Sequence, residues 1–406
     1  MDSTQSEQVR SRFPALKQDQ VYLDNAGGSQ TLDSVITSII DYLTNNNVQL
    51  GASYHVSQTS TSRFGKAFEA GARYINAHQD EVVFGSSTTQ LFRNLSYVLN
   101  FEPGDEIIVS MIDHEANIAP WVALAKRQEL VLKWWKPSGS EDPNLYAGSL
   151  YDLLSHRTKL VTCTHASNIL GYVHDIKNIT AAAHSVGALV CVDGVAYAPH
   201  RPIDVKDLGV DFYAFSWYKV FGPHIAMLYG SWRAQQHLGS LGHFFNPQTS
   251  LDNKLGMSGA SYELAQAVPE VVDYLTPSGG AESRFKDIAQ HEWELHSTLV
   301  KTLQEFQNVT IYGLGDNSPA TRLATVSFTV EGWNSKALVL AVEAESNYGI
   351  RWGSFYSERL VRDILGLGPE GVVRVSMVHY NSVEEIQGLC SLLGKLIGQS
   401  SAQKVQ

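Results

Sequence analysis

Short apolar runs rich in β-branched and aromatic residues recur through the first two-thirds of the chain. They are "EVVFG" (81–85), "DEIIVSM" (105–111), "LVLKWW" (130–135), "KLVTCT" (159–164), "ALVCVD" (188–193), "FYAFSW" (212–217) and "IAMLYG" (225–230). Each is near-continuous rather than alternating, the pattern of a strand buried on both faces. Helix-length segments such as 88–100 and 178–187 separate most of them. Strand–helix alternation predicts an α/β fold, a mostly parallel seven-stranded sheet with helices on both sides. From about residue 265 the pattern changes to a long helical stretch, 281–306, followed by strand-like pieces at 323–330 and 371–380. A smaller α+β C-terminal domain is expected there. The expected division is 18–265 for the large domain, 1–17 with 266–400 for the small one, and 401–406 as a flexible tail.

Ligands of such sheets bind at the carboxyl ends of the strands, and the run at 212–217 leads straight to Lys219 and a Gly-Pro turn, "AFSWYKVFGP". A lysine in a partly desolvated pocket loses pKa and becomes a nucleophile able to form a Schiff base with an aldehyde. The bland alternative is a strand-end lysine whose stem is buried and whose head reaches water. Three further features sit at strand ends. Asp193 closes "VCVD", placed to hold a pyridine nitrogen protonated or, more simply, to cap a helix. "GSSTTQ" (85–90) follows a strand and opens a helix, where free backbone N–H groups and hydroxyls suit a phosphate. His114, in "DHEANIAPW", follows another strand end, where an imidazole stacks or moves protons. Each signal is weak alone; their coincidence points to an enzyme site.

Composition removes other classes. The 406 residues carry a formal net charge of −11, which disfavours a nucleic-acid partner and an anionic membrane. No apolar run approaches the roughly 18 residues of a spanning helix, and the N-terminus has no signal-peptide pattern, so a cytoplasmic protein is expected. Cys163, Cys191 and Cys390 form no CxxC and no zinc spacing, so no metal is expected. No GxGxxG marks a dinucleotide site.

With these residues in view, the chain resembles the class V aminotransferase family of fold-type I pyridoxal 5'-phosphate (PLP) enzymes, in its cysteine desulfurase-like branch. The resemblance runs from "FPAL" (13–16) to "YNSVEEI" (380–386) and rests on "YLDNAGGSQ", "DHEANIAPW", "THASNILG", "VDGVAYAPHRPIDV", "FSWYKVFGP" and "VVRVSMVHYN". It implies PLP as cofactor. Lys219 matches the Schiff-base lysine, Asp193 the pyridinium partner and His114 the ring-stacking residue. Asn168 matches the asparagine that hydrogen-bonds the ring's phenolic oxygen. Thr89, Ser216 and Tyr218 match phosphate contacts, with Thr88 a further candidate. Arg374 matches the arginine that grips the substrate α-carboxylate, and Arg351 a second arginine near the substrate. Ala26 to Gly28, Gly27 included, match the small-residue loop beside the substrate, and His55 a rim position. A small-molecule amino-acid substrate and a homodimer with sites at its interface are likewise implied. A non-catalytic PLP-holding protein is disfavoured, because Lys219, Asp193 and Arg374 are all intact.

Departures from the family pattern matter as much. In "IRWGSFYSERL" (350–360), Tyr356 stands where desulfurases carry their catalytic cysteine. Ala196 replaces a ring-contacting glutamine or histidine. In "GMSGASYEL" (256–264), either Ser258 or Ser261 is the candidate for a phosphate contact made across a dimer interface. Trp352, Phe355 and Tyr356, with Phe244 and Phe245, are expected to line a pocket for an apolar or ring-bearing substrate. The texture is similar to fungal desulfurase-like members of secondary metabolism, among them relatives of isopenicillin N epimerase and of the loline-pathway PLP enzyme. That similarity implies Cα-carbanion chemistry on an amino acid, with Mannich- or aldol-type carbon–carbon bond formation favoured. A β-eliminating C–S lyase or an epimerase is the alternative.

Overall fold

The computed structural model describes residues 3–403 apart from 138, 140–142, 278–280 and 316–317. Residues 1–2 and residues 404–406 of the expected tail therefore lie outside the described residues. All seven early apolar runs are strands of one sheet: β1 (Val82–Gly85), β2 (Glu106–Ser110), β3 (Val131–Trp135), β4 (Thr158–Thr164), β5 (Leu189–Asp193), β6 (Phe212–Ser216) and β7 (Ala226–Gly230). Their spatial order is β1-β7-β6-β5-β4-β2-β3. Only β7 runs against its neighbours, so the sheet is mostly parallel.

Strand periodicity explains why the runs read as unbroken apolar sequence. Leu160, Leu189, Cys191 and Phe212 point into the core on one side of the sheet. Val161, Cys163, Val190, Val192 and Tyr213 point into the core on the other. Successive side chains face opposite sides, and both sides are covered. A Val or Leu buried in this way stabilises the fold by roughly 1.5–3 kcal/mol. Helix α1 (His55–Tyr74) precedes the sheet in sequence, and α2 (Thr88–Val98) and α3 (Ile176–His184) lie between its strands. Ser87 starts α2: its Oγ accepts from the Gln90 backbone N–H at 3.1 Å, satisfying one of the helix's free donors.

The C-terminal part carries a second sheet, β8 (Val309–Tyr312), β9 (Thr325–Val330), β10 (Arg351–Gly353) and β11 (Val372–Ser376), in the order β10-β11-β9-β8, all antiparallel. Here the apolar positions alternate. Val326, Phe328, Val373 and Val375 pack beneath α4 (Ala281–Gln304), α5 (Ser335–Glu345) and α6 (Val383–Gln403) through Leu299, Leu338 and Leu393. The intervening Ser327 and Arg374, paired in register, occupy the opposite face. The N-terminal segment docks beside this sheet: Val21–Tyr22 and Tyr348–Gly349 form a separate two-stranded parallel sheet, and Asp24 bridges to Ser376 of β11. Among the described residues, no helix is long and apolar enough to cross a membrane.

Candidate active site

The register of β4, β5 and β6 lines up their carboxyl ends. Thr164 pairs with Asp193, and Asp193 with Ala214. Past Ser216 the chain enters the short turn Trp217–Lys219, and Gly222–Pro223 reverses it into β7. Glycine is needed at 222 because a Cβ there would lie 3.1 Å from the Trp217 carbonyl and 3.0 Å from Val271. The turn delivers Lys219 to a small enclosed pocket shared with His114, Asn168, Asp193, Ser216 and Tyr218. Lys219 is buried, and among the described residues no hydrogen bond or ion pair holds its Nζ. Burial first, and then the positive charge of Arg374, pulls its pKa down to about 8. Asp193 accepts a hydrogen bond from the Val195 N–H at 2.9 Å. Burial pushes its carboxyl up to about 6, and Lys219 opposes that rise.

One end of the pocket is a hydroxyl-lined cup at the N-terminus of α2. Ser87, Thr88 and Thr89 line it, and Thr88 Oγ1 lies 2.8 Å from Ser216 Oγ, both side chains buried. Tyr218 closes the opposite wall, its ring stacked on His224 with centroids 4.7 Å apart. A Cβ on Gly28 would come within 3.3 Å of the Tyr218 ring, so a glycine lets the 26–28 loop approach it. Ser29 fixes that approach: its N–H donates to the Tyr218 carbonyl, and its Oγ accepts from the Phe221 N–H.

His114 caps the short turn Glu115–Asn117, its Nδ1 accepting from the Ala116 N–H at 3.0 Å. That bond places the imidazole proton on Nε2. Burial, then the charges of Lys219 and Arg374, lowers its pKa to about 4, so the ring is neutral at physiological pH. The Asn168 side chain donates to the Phe355 carbonyl at 3.0 Å and accepts from Ser357 Oγ at 3.0 Å. It therefore pins the loop after β10, in which Phe355 and Tyr356 both take left-handed backbone, φ +48° and +59°. Such conformations disfavour bulky residues and are held only where surroundings enforce them. The Tyr356 carbonyl accepts from the Glu115 N–H at 2.7 Å, and its exposed ring lies 5.1 Å from His114.

Arg374 is buried at the centre of β11 and stands opposite Arg351 of β10. Like charges directly opposed destabilise a strand pair. Asp24, arriving from the N-terminal segment, offsets them: its Oδ1 takes Arg374 Nη2 at 2.6 Å and its Oδ2 takes Arg351 Nη1 at 3.3 Å. Arg374 Nη1 also donates to the Asn168 carbonyl at 3.2 Å, and the Phe355 ring lies 3.6 Å from the guanidinium carbon. The Ala26 N–H donates to Ser376 Oγ and the Gly27 N–H to the Asp24 carbonyl, which sets the small-residue loop beside this corner.

Of the residues singled out in sequence, the structure gathers Lys219, Asp193, His114, Asn168, Thr88, Thr89, Ser216 and Tyr218 around one pocket, with Ala196 in its wall. Arg374, Arg351, Ala26 and Gly27 form the adjoining corner. Others lie elsewhere. His55 is exposed at the first turn of α1. Ser258 is exposed and bonded to His243 Nε2 at 2.8 Å, while Ser261 lines a neighbouring cavity with Gly85 and Ser86. Trp352 alternates away from Arg351 and packs against the core beneath α5, with Lys336 Nζ 5.8 Å from its ring. Phe244 and Phe245 are solvent-exposed. Asp24 was not singled out in sequence; its only signal was an acidic residue two positions before the small-residue loop.

The donor set suits PLP. An unpartnered buried amine is available to the aldehyde, a buried carboxylate to the ring nitrogen, and a hydroxyl-rich helix N-terminus to the phosphate. Comparison with known proteins agrees. The family model described as "Aminotransferase class-V" matches residues 21–389. An aminotransferase-like protein of Gibberella zeae is 53% identical over 94% of this chain and 95% of its own. A cysteine desulfurase-like protein of Aspergillus flavus is 37% identical over 96% of this chain and 90% of its own. Among solved structures, the apo cysteine desulfurase of Thermococcus onnurineus NA1 superposes with a TM-score of 0.87 at 25% identity, covering 97% of this chain and 98% of that one. A buried lysine with a lowered pKa where the parallel strands end is thus explained: the chain belongs to the class V aminotransferase family and is a PLP-dependent enzyme.

Proposed function

We propose that this enzyme acts at Cα of an α-amino acid and forms a carbon–carbon bond there, by a Mannich- or aldol-type step that yields an α-substituted, cyclic product in secondary metabolism. One observation carries the reading: the site joins a base in the pocket and two arginines in the adjoining corner, but no thiol. Cys163 and Cys191 are buried within β4 and β5, where burial pushes both thiols well above their ordinary range, and Cys390 lies in α6. Position 356 offers a phenol instead. Persulfide-forming desulfuration has no nucleophile here.

Bound PLP supplies an electron sink that stabilises negative charge at Cα. The chain's own groups do the rest. Arg374 offers a planar guanidinium to the substrate carboxylate, and a bidentate grip fixes which bond at Cα is aligned to break. Lys219, with its pKa near 8, moves a proton at Cα. His114 contributes a neutral Nε2–H donor rather than a charge. Thr88, Ser216 and the first turn of α2 would hold the phosphate, and Asp193 would keep the ring nitrogen charged. The reading includes a homodimer. The segment around 241–257 exposes Leu241, Phe244, Phe245 and Met257, an apolar surface of the kind a partner covers.

The test is absorption spectroscopy and mass spectrometry of the holoenzyme given single amino acids in heavy water. Deuterium at Cα without sulfide or pyruvate release from cysteine is the expected result. Sulfide and pyruvate would establish a β-eliminating C–S lyase, which Lys219 can serve without a second nucleophile.

A further inference from the structure

The guanidinium of Arg374 has five N–H donors in a fixed plane. One is spent on the Asn168 carbonyl and one on Asp24 Oδ1, and Nε, though buried, has no partner. Phe355 covers the plane itself. The donor directions left for a ligand are therefore set by what holds the other two. Asp24 is the stronger holder, at 2.6 Å against 3.2 Å, and it is charged. It is itself fixed by backbone: the Ser376 N–H donates to the Leu23 carbonyl at 2.7 Å, and the Asn25 N–H to the Ser376 carbonyl at 3.2 Å. Gly27 leaves it room, since a Cβ at 27 would lie 3.0 Å from Asp24 Oδ2 and 3.4 Å from Arg351 Nη1.

We propose that Asp24 is the positioning residue of the carboxylate site: it holds Arg374 and Arg351 facing each other so that a substrate carboxylate meets a preset guanidinium. The proposal rests on the amino-acid reading above. Without Asp24, two cations oppose each other across β10 and β11 with one of them buried, and repulsion with desolvation turns Arg374 out of register. Asp24 bonds neither the pocket's lysine nor its phosphate cup, and its charge acts on Lys219 less than burial, Arg374 and Asp193 do, so an amine lacking a carboxylate senses it only weakly.

The experiment titrates holoenzyme with L-alanine and with ethylamine, following cofactor absorbance. For D24A the dissociation constant for L-alanine is expected to rise about tenfold, while that for ethylamine stays within about twofold. D24N keeps an oxygen acceptor for Nη2 and should restore L-alanine binding to within about threefold of wild type. Should D24A not fold, G27A presses on the same carboxylate and should weaken L-alanine alone. Equal weakening of both probes, or unchanged or tighter L-alanine binding, overturns the proposal. A wild-type protein that responds to neither probe sinks the amino-acid reading itself, and Asp24's role with it.

Discussion

Two regions of the site are built in opposite ways. The cofactor pocket takes Lys219, Asp193, Thr88, Ser216 and His114 from the ends of four strands of one sheet, β1, β2, β5 and β6. The arginine corner draws Asp24, Arg351 and Arg374 from distant segments; Asp24 and Arg374 are 350 residues apart in sequence. In the pocket, each side chain is placed by the strand it follows, and burial alone explains most of its chemistry. In the corner, no single residue makes sense without the others: opposed arginines need a carboxylate from elsewhere. The pocket carries the donor set that suits PLP. The corner is where we propose that a substrate carboxylate is presented to it.

If the pocket is the chemical half, replacing Lys219 should have the largest effect. K219A is expected to lower Cα hydrogen exchange by about 10⁴-fold, read by deuterium uptake, with the fold kept by circular dichroism. D193N should follow, lowering exchange by about 10²–10³-fold through loss of the charge facing the ring nitrogen. If the corner is the presenting half, R374M should instead raise KM about 30- to 100-fold with a smaller fall in kcat. A kcat loss as large as that of K219A would erase the division.

The halves also communicate through charge, which pH can read. Lys219 titrates near pH 8, lowered by burial and then by Arg374. Only the neutral amine is a nucleophile, so the rate at which apoprotein captures PLP should rise about tenfold per pH unit up to about 8 and then level off. R374M removes a positive neighbour and should move that midpoint upward. D193N removes a negative one and should move it downward. Stopped-flow absorbance distinguishes the two; shifts of the same sign would mean that the groups do not sense each other. The smallest effect is expected at Trp352, on the far face of β10. W352A should leave KM within about twofold, and its cost should show as a lower melting temperature.

Legibility followed the same line. The seven apolar runs became the seven strands of the sheet, because burial on both faces imposes an unbroken pattern that needs no partner information to read. Lys219 and Asp193 were visible because each closes such a run. Trp352 read as a pocket residue as part of the aromatic-rich segment 352–356, yet adjacent strand residues face opposite ways, and the core under α5 claimed it. Ser258 and His55 were picked by position in a resemblance; this single chain leaves both exposed, away from the pocket. The left-handed turn at Phe355–Tyr356 had no signal, since neither residue favours that conformation; Asn168 and Glu115 impose it from other segments.

What the sequence determined alone is therefore the α/β sheet, its strand ends, and the lysine and aspartate placed on them, because local periodicity and burial suffice for these. What only the tertiary structure decided is the arrangement of charges at the corner beside the pocket. Asp24 between Arg351 and Arg374 is an electrostatic solution to a contact between segments. Electrostatic balance between distant segments leaves no period in the chain.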